Sequence, residues 1–219
     1  MRRMFESRVD AARRLAKALA RYDGQNPLVL AIPRGAVAMG RVLADELHGD
    51  LDVVLVRKLR SPYSPEFAVG AMDETGWAYV APHAKGAGAD DAYLARETHE
   101  QLQLLRQRRA LYTPARPPID PKGRLVIVVD DGLATGATMM AALHAARAKG
   151  PERLVCAVPV AAPDSLRLVQ PYADELVCLE APSDFYAVGQ FYADFPQVED
   201  EEVVELLSRA PKTRRGEKP

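Results

Sequence analysis

The sequence predicts an α/β fold, a central parallel twisted sheet flanked by helices with a small hood or cover region. Three observations carry this. Short, almost wholly apolar runs recur along the chain, helical patterns separate them, and none of the runs has the alternating polar positions of a strand with one wet face. Strands without a polar side are buried on both faces, as in a parallel sheet covered by helices.

The elements follow in order. Phe5, Val9, Ala12, Ala16 and Leu19 recur at steps of three and four, so residues 4–21 read as an amphipathic helix. LVLAI (28–32) is a short buried strand ended by Pro33, and a helical pattern runs from Val37 to Leu47. LDVVLV (51–56) reads as a second buried strand. After a loop holding Pro62 and Pro65, residues 67–81 suggest a hairpin turning at Glu74 to Gly76. Residues 90–112 form a long helix with Leu94, Leu102, Leu105 and Tyr112 on one side and charge elsewhere, suited to a cover or an oligomer surface. ARPPIDPKGR (115–124) is a surface loop. LVIVV (125–129), a helix over 137–149, LVCAVPV (154–160), a short helix over 164–170 and ELVCL (175–179) complete the alternation. VEDEEVVELLSRAP (198–211), acidic at its start, is a well-oriented terminal helix.

Composition narrows the function classes. A chain of 219 residues, 48% hydrophobic, can build a sizeable core, and residues 1–210 read as one domain. The net charge of −1 gives no whole-chain field for nucleic acid or an anionic membrane; KTRRGEK (212–218) marks only a short basic, disordered tail over 211–219. No apolar run approaches a membrane span, and the N-terminus breaks its apolar residues with charges, so a cytoplasmic location is expected. Cys156 and Cys178 lack metal or redox spacing and read as buried thiols. The four histidines, His48, His83, His99 and His144, are scattered over surface and helix positions, away from any ligand set.

VIVVDDGLATGATM (126–139) is the chemically informative stretch. Asp130 and Asp131 emerge past a buried strand, where ligands of open α/β sheets bind, and can accept from vicinal sugar hydroxyls or help hold a hydrated magnesium ion. Ala134, Thr135, Gly136, Ala137 and Thr138 lead into a helix, so backbone N–H groups and two hydroxyls converge on an anion. A turn followed by a helix cap explains each residue singly but not their concurrence. The Gly-Lys-Ser/Thr of a Walker loop and a G-x-G-x-x-G fingerprint are absent.

VIVVDDGLATGAT resembles the phosphoribosyl pyrophosphate (PRPP) motif of type I phosphoribosyltransferases. AIPRGAVAMG, DVVLVRKL, YSPEFAVGAMDE and VGQFYADFPQV extend the resemblance, over most of the chain, to a bacterial group of predicted phosphoribosyltransferases. The resemblance implies that Asp130 and Asp131 hold the ribose hydroxyls and that residues 134–138 bind the 5′-phosphate. It implies that Arg34 and Gly35, after Pro33, form a pyrophosphate loop, and that Arg57 and Lys58 open a mobile loop whose two cations neutralise the leaving pyrophosphate. The region 183–195 is loosely similar to a base-contacting segment, placing Phe185, Val188, Gly189 and Asp194 near the acceptor, although these aromatics equally suit core packing. Glu66, Asp73 and Glu74 also fit the rim of such a site. Many relatives carry glycine where this chain has Ala36 and Ala137, which costs sterically if either position needs positive φ.

The function so implied is transfer of the 5-phosphoribosyl group from Mg²⁺-PRPP to a nitrogenous base or similar acceptor, with release of pyrophosphate. Magnesium arrives with PRPP rather than in a protein cage, the partners are small molecules, and a homodimer is open. A non-catalytic PRPP sensor is the alternative, and a hydrolase or transferase of another phosphorylated sugar ranks lower. A regulator would be expected to carry a nucleic-acid-binding segment, and no helix-turn-helix or basic face is evident.

Overall fold

A computed structural model of the chain describes residues 3–64 and 67–209. Glu66, expected near the rim, and the tail 211–219 lie outside the described residues. Helix α1 (Arg8–Ala18) starts at Ser7, whose hydroxyl accepts from Asp10 N at 3.3 Å. Then come β1 (Leu28–Ala31), α2 (Val37–Glu46), β2 (Asp50–Val53), β3 (Val56–Arg60), β4 (Ala68–Asp73) and β5 (Ala78–Val80). Helix α3 (Asp91–Tyr112) is capped by Asp90, which accepts from Tyr93 N at 2.7 Å. The chain continues through β6 (Leu125–Val129), α4 (Ala137–Arg147), β7 (Arg153–Val160), α5 (Pro163–Val169), β8 (Glu175–Glu180) and α6 (Asp200–Ser208).

Five strands form a wholly parallel sheet in the order β2-β1-β6-β7-β8. Strand periodicity divides its side chains between two cores. Val29, Ala31, Ile127, Val129, Val155 and Ala157 pack toward α1 and α2, while Leu28, Leu30, Val126, Val128, Leu154 and Cys156 pack toward α4. The order reverses between β1 and β6, since β2 lies on one side of β1 and β6, β7 and β8 on the other. Open α/β sheets bind ligands beyond the carboxyl ends of strands at such a reversal. Here those ends carry Pro33-Arg34-Gly35 and Asp130-Asp131, joined by Ile32 N donating to Val129 O at 3.1 Å.

The run LDVVLV does not stay one strand. β2 ends at Val53, and Val56 begins β3, which with β4 and β5 forms a separate antiparallel sheet, the hood, covered by α3. Continuous burial from Leu51 through Val56 hid the change of sheet, because apolar residues line both sides of the break. The expected hairpin is present as β4–β5. The last strand, β8, is the sheet edge and half-buried along its length, so Cys178 is half-buried rather than buried; its thiol is pushed up to about 11 by burial. Cys156 is fully buried, and burial raises its thiol further. Among the described residues, no helix is long and apolar enough to cross a membrane.

Candidate functional site

The site is assembled at the β1/β6 reversal from four segments. Asp130 and Asp131 leave β6, and the Asp131 N–H donates to Asp130 Oδ1 at 2.8 Å. Burial raises the Asp130 carboxyl well above the ordinary range and the Asp131 charge adds to it; burial also raises Asp131, against the neighbouring Arg8 guanidinium. Two adjacent, half-buried carboxylates are therefore held where their ionised forms are costly, a placement that ligand hydroxyls or a cation would relieve.

The second segment runs from Ala134 to Thr138. Leu133 N donates to Val160 O at 3.0 Å and Ser165 Oγ donates to Ala134 O at 2.6 Å, fixing the loop to β7 and α5. Gly136 takes a φ of 78°, the left-handed turn that lets the chain enter α4, and an added Cβ would lie 2.9 Å from Val169 Cγ2. The first-turn N–H groups of an α-helix have no partner within it, and Thr135 and Thr138, at the start of α4, line a cavity. Ala137 is helical and Ala36 has φ −81°, so neither alanine pays the positive-φ cost anticipated from the glycines of relatives.

The third segment is Pro33-Arg34-Gly35, with a cis bond between Pro33 and Arg34. Gly35 lies so close to the second carboxylate that a Cβ there would stand 2.5 Å from Asp131 Oδ2. Arg34 lines the cavity while its Nη1 is held 3.0 Å from Glu199 Oε2 and 3.8 Å from Asp200 Oδ2, at the acidic start of α6.

The fourth segment is the hood. Arg57 and Lys58 lie within β3, not at a strand end opening a loop. Neighbouring strand residues point to opposite faces. Arg57 Nε donates to Gln101 Oε1 on α3, where burial and the Arg108 and Arg60 charges lower its pKa, whereas Lys58 faces Asp130 and Asp131. Of the two cations expected at the site, Lys58 lines the cavity and Arg57 is turned to α3. Asp73 is fully buried and Glu74 pairs with Arg109 at 2.7 Å, so neither lies on the rim.

Two contiguous cavities, of 350 and 510 Å³, share Lys58, Asp130, Asp131, Thr138 and Val188. The first lies between residues 130–139 and the hood side chains Phe67 and His83; the second opens toward Arg8, Arg34, Phe195 and Pro196. Of the expected acceptor residues, Val188 lines both, while Phe185, Gly189 and Asp194 line neither. Phe185 packs on Phe191 at 5.0 Å, and the Asp194 N–H pairs with Glu6 O at 2.9 Å. Most of the aromatic segment is used internally, since Tyr192 touches Phe5 and Phe195 and Arg8 covers the Phe195 ring at 3.7 Å, but Tyr186 is exposed. Sequence reasoning missed Arg8, Phe67 and His83. Nothing local marks them, since Arg8 is one of several arginines in its helix and His83 sits in a loop.

Residues 5–196 match the phosphoribosyl transferase domain family. The chain belongs to this family. The crystal structure of TT1426 from Thermus thermophilus is similar at 46% identity and a TM-score of 0.79, covering 95% of this chain and 98% of that one. Two relatives from Mycobacterium tuberculosis, strains CDC 1551 / Oshkosh and ATCC 25618 / H37Rv, are each 42% identical over 209 residues, 95% of this chain. Their own designation as phosphoribosyl transferases is provisional, and the match covers 47% of each, so the chain spans about half the length of these curated relatives. The phosphoribosyl transferase domain thus extends from the N-terminal segment at Phe5 to Pro196 at the wider cavity, taking in all four segments of the site.

Proposed function

We propose that residues 1–210 act as one phosphoribosyltransferase unit that binds Mg²⁺-PRPP and transfers its phosphoribosyl group to a nitrogenous acceptor. The observation that supports this reading is the meeting, in shared cavities at the sheet reversal, of the carboxylate pair, the α4 N-terminal loop and the cations Arg34 and Lys58. Asp130 and Asp131 accept from the ribose hydroxyls, residues 134–138 hold the 5′-phosphate, and Arg34, Gly35 and Lys58 receive the pyrophosphate.

The donor set fits magnesium that arrives with the substrate. Asp130 and Asp131 offer two adjacent carboxylates, hard oxygen donors that suit an ion keeping waters and substrate oxygens. When bound, magnesium supplies charge neutralisation to the pyrophosphate oxygens. The C1′–O bond breaks with its electron pair leaving on pyrophosphate, the acceptor nitrogen lone pair forms the C1′–N bond, and the nitrogen's proton passes to solvent. The chain contributes position and fixed charge; no protein nucleophile takes part. Val188 gives the acceptor an apolar wall, and Phe185, Phe191, Tyr192 and Phe195 are engaged with one another or with Arg8, while Tyr186 is exposed and lines neither cavity.

The test is pyrophosphate release from Mg²⁺-PRPP with a panel of nucleobases and a small-metabolite extract. Acceptor-dependent release that falls about a hundredfold or more in Asp130→Asn is expected. PRPP binding without release from any mixture would turn the reading toward a sensor, and absence of PRPP binding would overturn it.

A further inference from the structure

Arg8 lies between the carboxylate pair, the Pro33-Arg34-Gly35 loop and residues 195–196. Its Nε donates to Asp131 Oδ2 at 2.9 Å, and its Nη1 donates to Pro196 O at 2.7 Å. Its guanidinium lies 3.7 Å over the Phe195 ring, and its Nη2 stands 3.0 Å from where a Gly35 Cβ would be. The side chain is only 11% exposed. Its backbone is fixed as firmly. Ser7 caps the helix that Arg8 begins, and the preceding residues pair with the acceptor-side segment through Met4 N to Phe191 O at 2.9 Å and Ala193 N to Phe5 O at 2.8 Å.

We propose that Arg8 is a positioning residue of the transferase, holding the Asp131 carboxylate toward the PRPP ribose and tying the acceptor-side segment 195–196 to that carboxylate. The proposal rests on the PRPP reading above. A planar guanidinium fork can fix one carboxylate oxygen and a carbonyl at once, which an ammonium cannot do with the same geometry. Asp131 Oδ2 is confined between Arg8 and the Gly35 backbone, which leaves Oδ1 to accept from the ribose. Tyr192, whose hydroxyl donates to Asp131 O at 2.7 Å, holds the same residue's backbone from the acceptor side. Arg8 therefore acts through Asp131 and makes no contact with the reacting atoms.

A double-mutant cycle tests this, with Mg²⁺-PRPP as the probe, calorimetry as the readout and thermal melting to verify folding. Arg8→Gln is expected to weaken Mg²⁺-PRPP about tenfold, the scale of one charge-assisted hydrogen bond, with partial recovery in Arg8→Lys. In an Asp131→Asn background the same change should add about twofold or less, because the carboxylate it orients is gone. A purely structural arginine would weaken binding equally in both backgrounds, and that result overturns the proposal, as does unchanged binding by Arg8→Gln. Should Arg8→Gln fail to fold, Arg8→Lys carries the cycle: weaker binding confined to the Asp131 background supports the proposal, and equal weakening in both, or none in either, overturns it. Wild-type protein that does not bind Mg²⁺-PRPP fells the parent reading and this one together, whereas wild-type binding with an inert Arg8 fells this one alone.

Discussion

Asp130 carries a cost that its proposed ligand relieves. Its carboxyl sits well above the ordinary 3.8 in the folded chain, through burial and the charge of Asp131. The native state therefore keeps a proton to higher pH than the unfolded chain, so this group's contribution to stability is full below about 3.8 and is lost as pH rises through the native value. Asp130→Asn removes that loss. Near neutral pH it should melt above wild type, by roughly 2–4 °C for each kcal/mol regained in a chain of this size. The difference should close as pH falls below the usual carboxylate range, and scanning fluorimetry across pH would show equal melting at neutral pH if the strain is absent. The acids and the Thr-Gly-x-Thr loop were legible in the sequence because they are contiguous and their chemistry is local. Arg8 was not, because 123 residues separate it from Asp131 and only the folded chain brings them together. Phe185, Phe191, Tyr192 and Phe195 were visible as residues, but their faces are committed to one another and to Arg8, which no spacing reveals.

Among the elements, the central strands were readable because each is a short apolar run buried on both faces. The passage from β2 to β3 was not, since Val54 and Leu55 at the break are as buried as the strands they separate. The consequence reaches the site: placing Arg57 and Lys58 inside a strand sends one to α3 and the other to the cavity. The β4–β5 hairpin was legible from its turn residues, and the structure shows what secures it. Asp73, fully buried, accepts from Thr75 N at 2.8 Å and Trp77 N at 3.3 Å through Oδ1, while Oδ2 lies 3.1 Å from His144 Nδ1 on α4. Asp73→Ala would strand these donors and should cost roughly 3 kcal/mol in urea unfolding. A loss below about 1 kcal/mol would mean that the turn holds without its carboxylate.

For the molecule as a whole, the parallel sheet and the hood are two sheets with separate hydrogen-bond ladders, and the site lies where they face each other. Helix α4 belongs to both: its N-terminus is the proposed phosphate loop, and two turns later it meets the hood hairpin at Asp73 and Trp77. Trp77 is the only tryptophan in the chain, and its indole stacks on the His144 ring at 3.9 Å with planes 11° apart. The fold thus carries its own optical probe. An imidazole stacked on indole offers a route for quenching, so His144→Ala should brighten the Trp77 emission, and equal brightness would mean that the rings do not stack in solution. Because α4 links that ring pair to the loop proposed to take the 5′-phosphate, ligand arrival should be readable by stopped-flow fluorescence without any label, timing binding separately from chemistry.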